Sequence, residues 1–174
     1  MRNMLFSTLY LLSAGASALT LYGTSLHHGD AMPPAQQANL FGCTGQNLSP
    51  ALFWDDVPAG TQSFAISMHD PDAPTGSGFW HWMIVNLPAD TRTLAAGVDA
   101  RALPVPALVL KNDLGQANWL GSCPPQGRTH RYRITIHALD SLLDIDAQAT
   151  PALAGFMIHQ HELARAEMML IHKR

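Results

Sequence analysis

The sequence is short of charge, of cysteine and of long apolar runs, and each shortage removes a class of function. Charged residues make up 13% of the 174 positions, and the formal net charge is −3. Lys and Arg together number 10 and form no cluster. Such a chain offers no electrostatic footprint to a polyanion, which argues against nucleic acid as a partner. Two cysteines, Cys43 and Cys123, are too few for a structural zinc site or a disulfide-rich scaffold. Beyond the N-terminus, no segment approaches the roughly 20 apolar residues that a spanning helix needs.

The one apolar run, 5–16, is shorter than a membrane span. Arg2 precedes it, and Ala16-Ser17-Ala18 follows it as an A-x-A cleavage pattern, so residues 1–18 read as a secretory signal peptide. Cleavage leaves 19–174, long enough for one domain with a substantial core and without a transmembrane segment. The expected location is periplasmic or secreted. Export would place both cysteines in an oxidising compartment, so a Cys43–Cys123 disulfide is expected, with two free buried thiols as the alternative.

What the chain does contain is alternation. In 63–69 the large residues Phe64, Ile66 and Met68 share one strand face, and Asp70 falls on that face at the strand's end. In 81–87, His81 shares a face with Met83, Val85 and Leu87, while Trp82, Ile84 and Asn86 take the other. In 130–139, His130 continues the row Tyr132, Ile134 and Ile136, and the opposite row, Arg131, Arg133, Thr135 and His137, reads as solvated. Three polar groups thus each extend an apolar row where a strand meets a loop. Burial of unpartnered polar groups is costly, so gathering them in one pocket is the cheapest arrangement. The bland alternative is three unrelated side chains, each bonded locally.

Short strands separated by turn signals predict a mainly β fold, an antiparallel β-sandwich, with 94–120 mostly loop. A short C-terminal helical segment is expected after Thr150, a capping residue followed by Pro151. Leu153, Phe156, Met157, Leu163, Ala164, Met168 and Ile171 recur at helical spacing, although Gly155 weakens that helix. Residues 19–38 are turn-rich, and an opening strand cannot be placed among them.

Two segments carry the most specific signal. One is His69-Asp70-Pro71-Asp72-Ala73-Pro74, leading through Gly76-Ser77-Gly78 to Phe79-Trp80-His81-Trp82. The other is Gly121-Ser122-Cys123-Pro124-Pro125-Gln126-Gly127-Arg128-Thr129-His130-Arg131. Together they resemble the D-P-D-x-P and G-x-x-H-R signatures of the phosphatidylethanolamine-binding protein family, in its bacterial, Raf-kinase-inhibitor-like branch. The resemblance runs from about Asn39 to the C-terminus and implies that family's sandwich. It implies an anion pocket lined by Asp70, His81 and His130, with Asp72 and Pro74 shaping the loop. Trp80 is expected as an apolar wall, and Arg131 as a brace paired with an acidic group. Pro124 and Ser122 are expected at the rim, where the family commonly has proline in place of Ser122.

A carboxylate, two imidazoles and loop N–H groups suit a small anion or phosphoryl-bearing ligand, since an imidazole beside a carboxylate is favoured in its cationic form. The expected function is therefore non-catalytic ligand binding, with no cofactor. The alternative is a protein-interaction module that inhibits a protease or modulates a signalling enzyme. Hydrolase chemistry fares worse, because Gly76-Ser77-Gly78 lacks the nucleophile-elbow spacing. Asp70 and Asp72, two apart in a turn, rarely face one another across a glycoside. His159 and His161 sit two apart on a presumed helix and diverge. A divalent ion on Asp70, His81 and His130 is a minority reading, so no metal is expected.

Overall fold

The computed structural model describes residues 18–174, so the leader expected over 1–18 lies outside the described residues but for Ala18. Along the chain run β1 (Thr20–Gly23), β2 (Leu52–Asp55), β3 (Ser63–Asp70), β4 (Phe79–Pro88) and β5 (Thr93–Leu94). After these come β6 (Leu108–Val109), β7 (Thr129–Leu139), α1 (Pro151–His161) and β8 (Glu162–Lys173). They form a three-stranded sheet, β1-β2-β5, and a five-stranded sheet, β6-β4-β3-β7-β8, with every pairing antiparallel. The mainly β, two-sheet fold is the one the alternation predicts. The opening strand that the sequence could not place is β1, paired with β2 from Thr20 opposite Asp55 to Gly23 opposite Leu52.

Between the sheets, Leu52 and Trp54 of β2 meet Phe64, Ile66 and Met68 of β3 and Ile134 and Ile136 of β7. Each such fully buried side chain contributes about 1.5–3 kcal/mol of apolar transfer. Strand β3 is central and buried on both faces. Its Ala65 points the other way, into a second cluster with Met83, Val85 and the α1 residues Ala154 and Ile158.

Strand β4 departs from simple alternation at two β-bulges. Phe64 faces Leu87 but Ile66 faces Ile84, and Met68 faces Trp82 but His69 faces Trp80. Each extra residue switches the parity of the strand beyond it. The expected row of His81 with Met83, Val85 and Leu87 is therefore corrected. Trp82, Ile84 and Leu87 enter the inter-sheet core, and Met83 and Val85 face the outer cluster. Asn86 sits at the second bulge with a positive φ of 58°, and its side-chain amide bonds both the N–H and the carbonyl of Leu143.

The helix begins as expected, with the Thr150 hydroxyl accepting from the Leu153 N–H and Pro151 at its first position. It ends at His161, however, and Leu163, Ala164, Met168 and Ile171 belong to strand β8 rather than to a longer helix. Ala164, Ala166, Met168, Leu170 and His172 also alternate. The free edge of β7 decides between the two periods, since it pairs with β8 from Thr129 to Leu139. The same pairing corrects the row read as solvated. Thr135 is buried, and His137 is largely covered and bonded to Glu162 at 2.6 Å. Only Arg131 is exposed there.

Candidate functional site

His130 and Arg131 are adjacent on β7 and point to opposite faces, and the Asp-Pro-Asp turn supplies one carboxylate to each. Asp70, at the end of β3, reaches inward, and its Oδ2 meets Nδ1 of His130 at 2.7 Å. Asp72, two residues on, stays outside and takes Arg131. Its Oδ2 accepts from the Arg131 N–H at 2.8 Å and from Nε at 2.9 Å, and its Oδ1 accepts from the guanidinium at 2.7 Å. The other oxygen of Asp70 accepts the Asp72 N–H at 2.9 Å, which closes the turn. The inner pair is almost fully buried, at 3% and 6% exposure, whereas the outer pair is wet. The Arg131 guanidinium holds the Asp72 carboxyl down to about 2.

His81 arrives from the third direction. It is the extra residue of the first β4 bulge, which turns its ring toward Phe79 and Tyr132, at centroid distances of 4.9 and 5.3 Å. Its Nδ1 donates to the Leu120 carbonyl at 3.0 Å. Burial lowers its pKa to about 4, so the ring is neutral at pH 7. Asp70, His81, His130 and Tyr132 together form the polar lining of a cavity of about 170 Å³. Typical pockets for drug-sized ligands span roughly 300–1,000 Å³, so this one fits a small headgroup. Burial first, and then the neighbouring Asp70 carboxylate, keeps the Tyr132 hydroxyl protonated.

The walls are apolar: Phe41, Ala73, Pro74, Phe79, Leu120 and Pro125. Several expected neighbours stand elsewhere. Trp80 is on the opposite side of the sheet, tilted against His69 with ring centroids 4.4 Å apart, in a groove with Arg133. Phe79, two residues before His81, takes the wall position instead. Pro124 is buried behind the rim, and Pro125 lines the cavity. Ser122 is fully buried rather than at the rim, and its hydroxyl meets Nδ1 of His172 at 2.8 Å. His172, which the sequence did not single out, lies opposite His130 in the β7–β8 register, and burial lowers its pKa. Asp72 does not line the cavity; with Pro74, Pro125, Arg128 and His130 it borders an outer groove.

The rim is held by long-range ties. Cys43 and Cys123 are joined in a disulfide across 80 residues of chain, and Cys123 lines the cavity. Phe41 has a positive φ of 56°, and its carbonyl accepts from the Arg174 guanidinium at 3.1 Å. Asn47 Oδ1 accepts the Gly121 N–H at 2.7 Å. Gly121 has no room for a side chain, because a Cβ there would lie 2.4 Å from the Ala38 nitrogen. Among the described residues no group of His, Cys, Asp and Glu is arranged to hold a metal ion, and no helix is long and apolar enough to cross a membrane.

Comparison with known proteins agrees with this architecture. The model of the phosphatidylethanolamine-binding protein family matches residues 23–173. The chain belongs to that family. UPF0098 protein YbhB of Escherichia coli is 48% identical over 153 residues, covering 86% of this chain and 97% of YbhB. A UPF0098 protein of Methanothermobacter thermautotrophicus is 39% identical, covering 76% of this chain and 87% of its own length. The crystal structure of E. coli YbcL, titled a new member of the mammalian PEBP family, superimposes with a TM-score of 0.86 at 37% identity. It covers 90% of this chain and 98% of YbcL. None of these names states a reaction.

Proposed function

We propose that this family member binds a small phosphoryl-bearing anion in the Asp70–His81–His130 cavity and performs no chemical turnover. The observation that carries the reading is the buried Asp70–His130 pair beside a second, neutral imidazole, all facing a cavity of headgroup size. A buried carboxylate–imidazole pair is costly to desolvate and is weak as a stabilising device, so a ligand role gives it a reason to be there. In its protonated form His130 presents Nε2–H to an oxoanion, and apolar walls strengthen that contact by excluding water. The Thr75 hydroxyl, a conceivable nucleophile at the rim, is tied to the Gly78 carbonyl. Both cysteines are tied in the disulfide.

Calorimetric titration with inorganic phosphate and phosphoethanolamine across pH 5 to 8 tests the reading. Saturable binding is expected, weakening as pH rises, because the proton-bearing form of the ligand becomes scarce. His130→Ala should abolish it. Silence with both ligands at every pH would remove the proposal.

Export belongs to the same proposal, supported by the disulfide, which persists in oxidising compartments. A chain beginning at Leu19 in the extracytoplasmic fraction is the expected mass-spectrometric result, and an intact Met1 there would contradict it. A protein partner is the second reading, favoured by Phe41, which is 65% exposed at the cavity mouth. Capture of one protein in stoichiometric amount, lost in Asp70→Ala, would shift the assignment to it.

A further inference from the structure

The five-stranded sheet has an outer face that the Asp70–His81–His130 cavity does not use. A groove of about 230 Å³ crosses it. In register, Trp80 of β4 lies beside His69 of β3, His69 beside Arg133 of β7, and Ser67 beside Thr135. Each of the first three adjoins a cavity residue in the chain: Trp80 sits between Phe79 and His81, His69 precedes Asp70, and Arg133 follows Tyr132. Groove and cavity therefore stand back to back across one sheet.

Three features of the groove are in place and unused within the protein. The first is a charge. Of three guanidiniums along this face, Arg131 is held by Asp72, and Arg165 reaches Glu162 at 3.7 Å. Arg133 is half-buried and has neither a hydrogen bond nor an ion pair among the described residues. A guanidinium drawn partly out of water without a partner is costly. The second feature is a pair of hydroxyls. Ser67 and Thr135, at 4% and 9% exposure, lie on the floor, and neither hydroxyl bonds to another described residue. Neither oxygen is among the fully enclosed ones, so both open into the groove.

The third feature is a fixed aromatic wall. The Trp80 main chain is tied twice to Asp113, its N–H donating to the carboxylate at 2.7 Å and its carbonyl accepting the Asp113 N–H at 3.0 Å. His69, tilted against Trp80, donates Nε2–H to the Ser77 carbonyl at 3.2 Å. Burial lowers the His69 pKa, so its ring is neutral at pH 7 and Arg133 supplies the unpaired positive charge at this end.

We propose that this groove is a second ligand site, for a monoanionic carboxylate carried on a small flat ring. The planar fork of Arg133 matches a planar carboxylate and takes both of its oxygens. The Ser67 and Thr135 hydroxyls offer further donors along the floor, and the Trp80 ring covers the ligand's ring. A doubly charged anion is disfavoured. Glu167 stands opposite Thr135 on β8, lines the groove and has no ion-pair partner among the described residues, so it repels a second negative charge.

The test is NMR titration of the isotope-labelled protein at pH 7 with phenylacetate, with its neutral amide phenylacetamide, and with inorganic phosphate. Phenylacetate should shift the Trp80 indole and Arg133 side-chain signals saturably. Phenylacetamide has the same ring and no charge, and should bind at least about tenfold more weakly through loss of the charge-assisted pair. That comparison is made on the wild-type protein and depends on no variant. Arg133→Gln should weaken phenylacetate binding by a similar factor, about tenfold or more. Phosphate should leave the groove signals unmoved. No saturable shift at Trp80 and Arg133, equal affinity for acid and amide, or undiminished binding in Arg133→Gln would overturn the proposal. So would phosphate binding in the groove as tightly as phenylacetate, or phenylacetate shifting the His81 and His130 signals in place of those of the groove.

Discussion

At the scale of single residues, the Asp-Pro-Asp turn and the His-Arg pair form one device, and its two halves should respond differently to change. Asp70→Ala strips the buried His130 of its partner and leaves the Asp72 N–H unpaired. Breaking a buried pair from one side costs about 3–5 kcal/mol, so urea denaturation should show a loss of that order, and less than about 1 kcal/mol would contradict the geometry. Asp72 is a milder case, because its pairing with Arg131 is partly exposed and worth about 1 kcal/mol or less. The Asp72 carboxyl is depressed to about 2 in the folded chain, against an ordinary value of 3.8. Its contribution is therefore present above about pH 4 and is lost as pH falls toward 2. Asp72→Asn should flatten that limb of a stability–pH profile, and an unchanged limb would refute the assignment. Much of this device was legible in the sequence, since Asp70 and His130 each continue an apolar row. The exchange of Trp80 for Phe79 as the wall was not. Phe79 and His81 do share parity, but the bulge that aims His81 into the cavity leaves no mark on composition. The burial of Ser122 was illegible for a related reason, as nothing in its neighbours shows that His172 stands behind it.

At the scale of elements, the C-terminal third shows how two periodicities compete. Residues 162–173 satisfy a helical spacing and an alternating one together, and short windows cannot separate them. Tertiary structure decides. An 11-residue strand such as β7 would otherwise present an open edge, and β8 covers it along its length. The helix start was readable because it depends on local chemistry alone. Thr150→Ala should cost about 1 kcal/mol through loss of the cap to the Leu153 N–H, measured as a shift in denaturation midpoint. No shift would mean that α1 is fixed wholly by packing of Ala154 and Ile158 against the sheet.

At the scale of the whole molecule, two features govern stability. The disulfide closes a long loop and joins the Phe41 wall to the Cys123 wall. Cys43→Ser should therefore cost about 2–5 kcal/mol and lower Tm by roughly 5–15 °C. A smaller shift would mean that the Arg174 and Asn47 ties suffice. The second feature is a set of histidines, His69, His81, His137 and His172, whose pKa values burial lowers. Below pH 6.5 the unfolded chain takes up protons that these folded sites refuse, until about pH 4 in the case of His81. Stability should fall over that window as pH drops, and equal denaturation midpoints at pH 5 and pH 7 would contradict it. The sandwich itself was legible in the alternation. The outer groove of His69, Trp80 and Arg133 was not, because a polar strand face ordinarily reads as solvated.

The central claim is that the Asp70–His81–His130 cavity is the place where a phosphoryl group binds. A crystal structure of the protein grown with phosphoethanolamine tests it most directly. The account predicts the phosphoryl group within hydrogen-bond distance of Nε2 of both His81 and His130, with Asp70 still on His130 Nδ1. An empty cavity with the ligand seated elsewhere, for instance against Arg133 on the far side of the sheet, would contradict it.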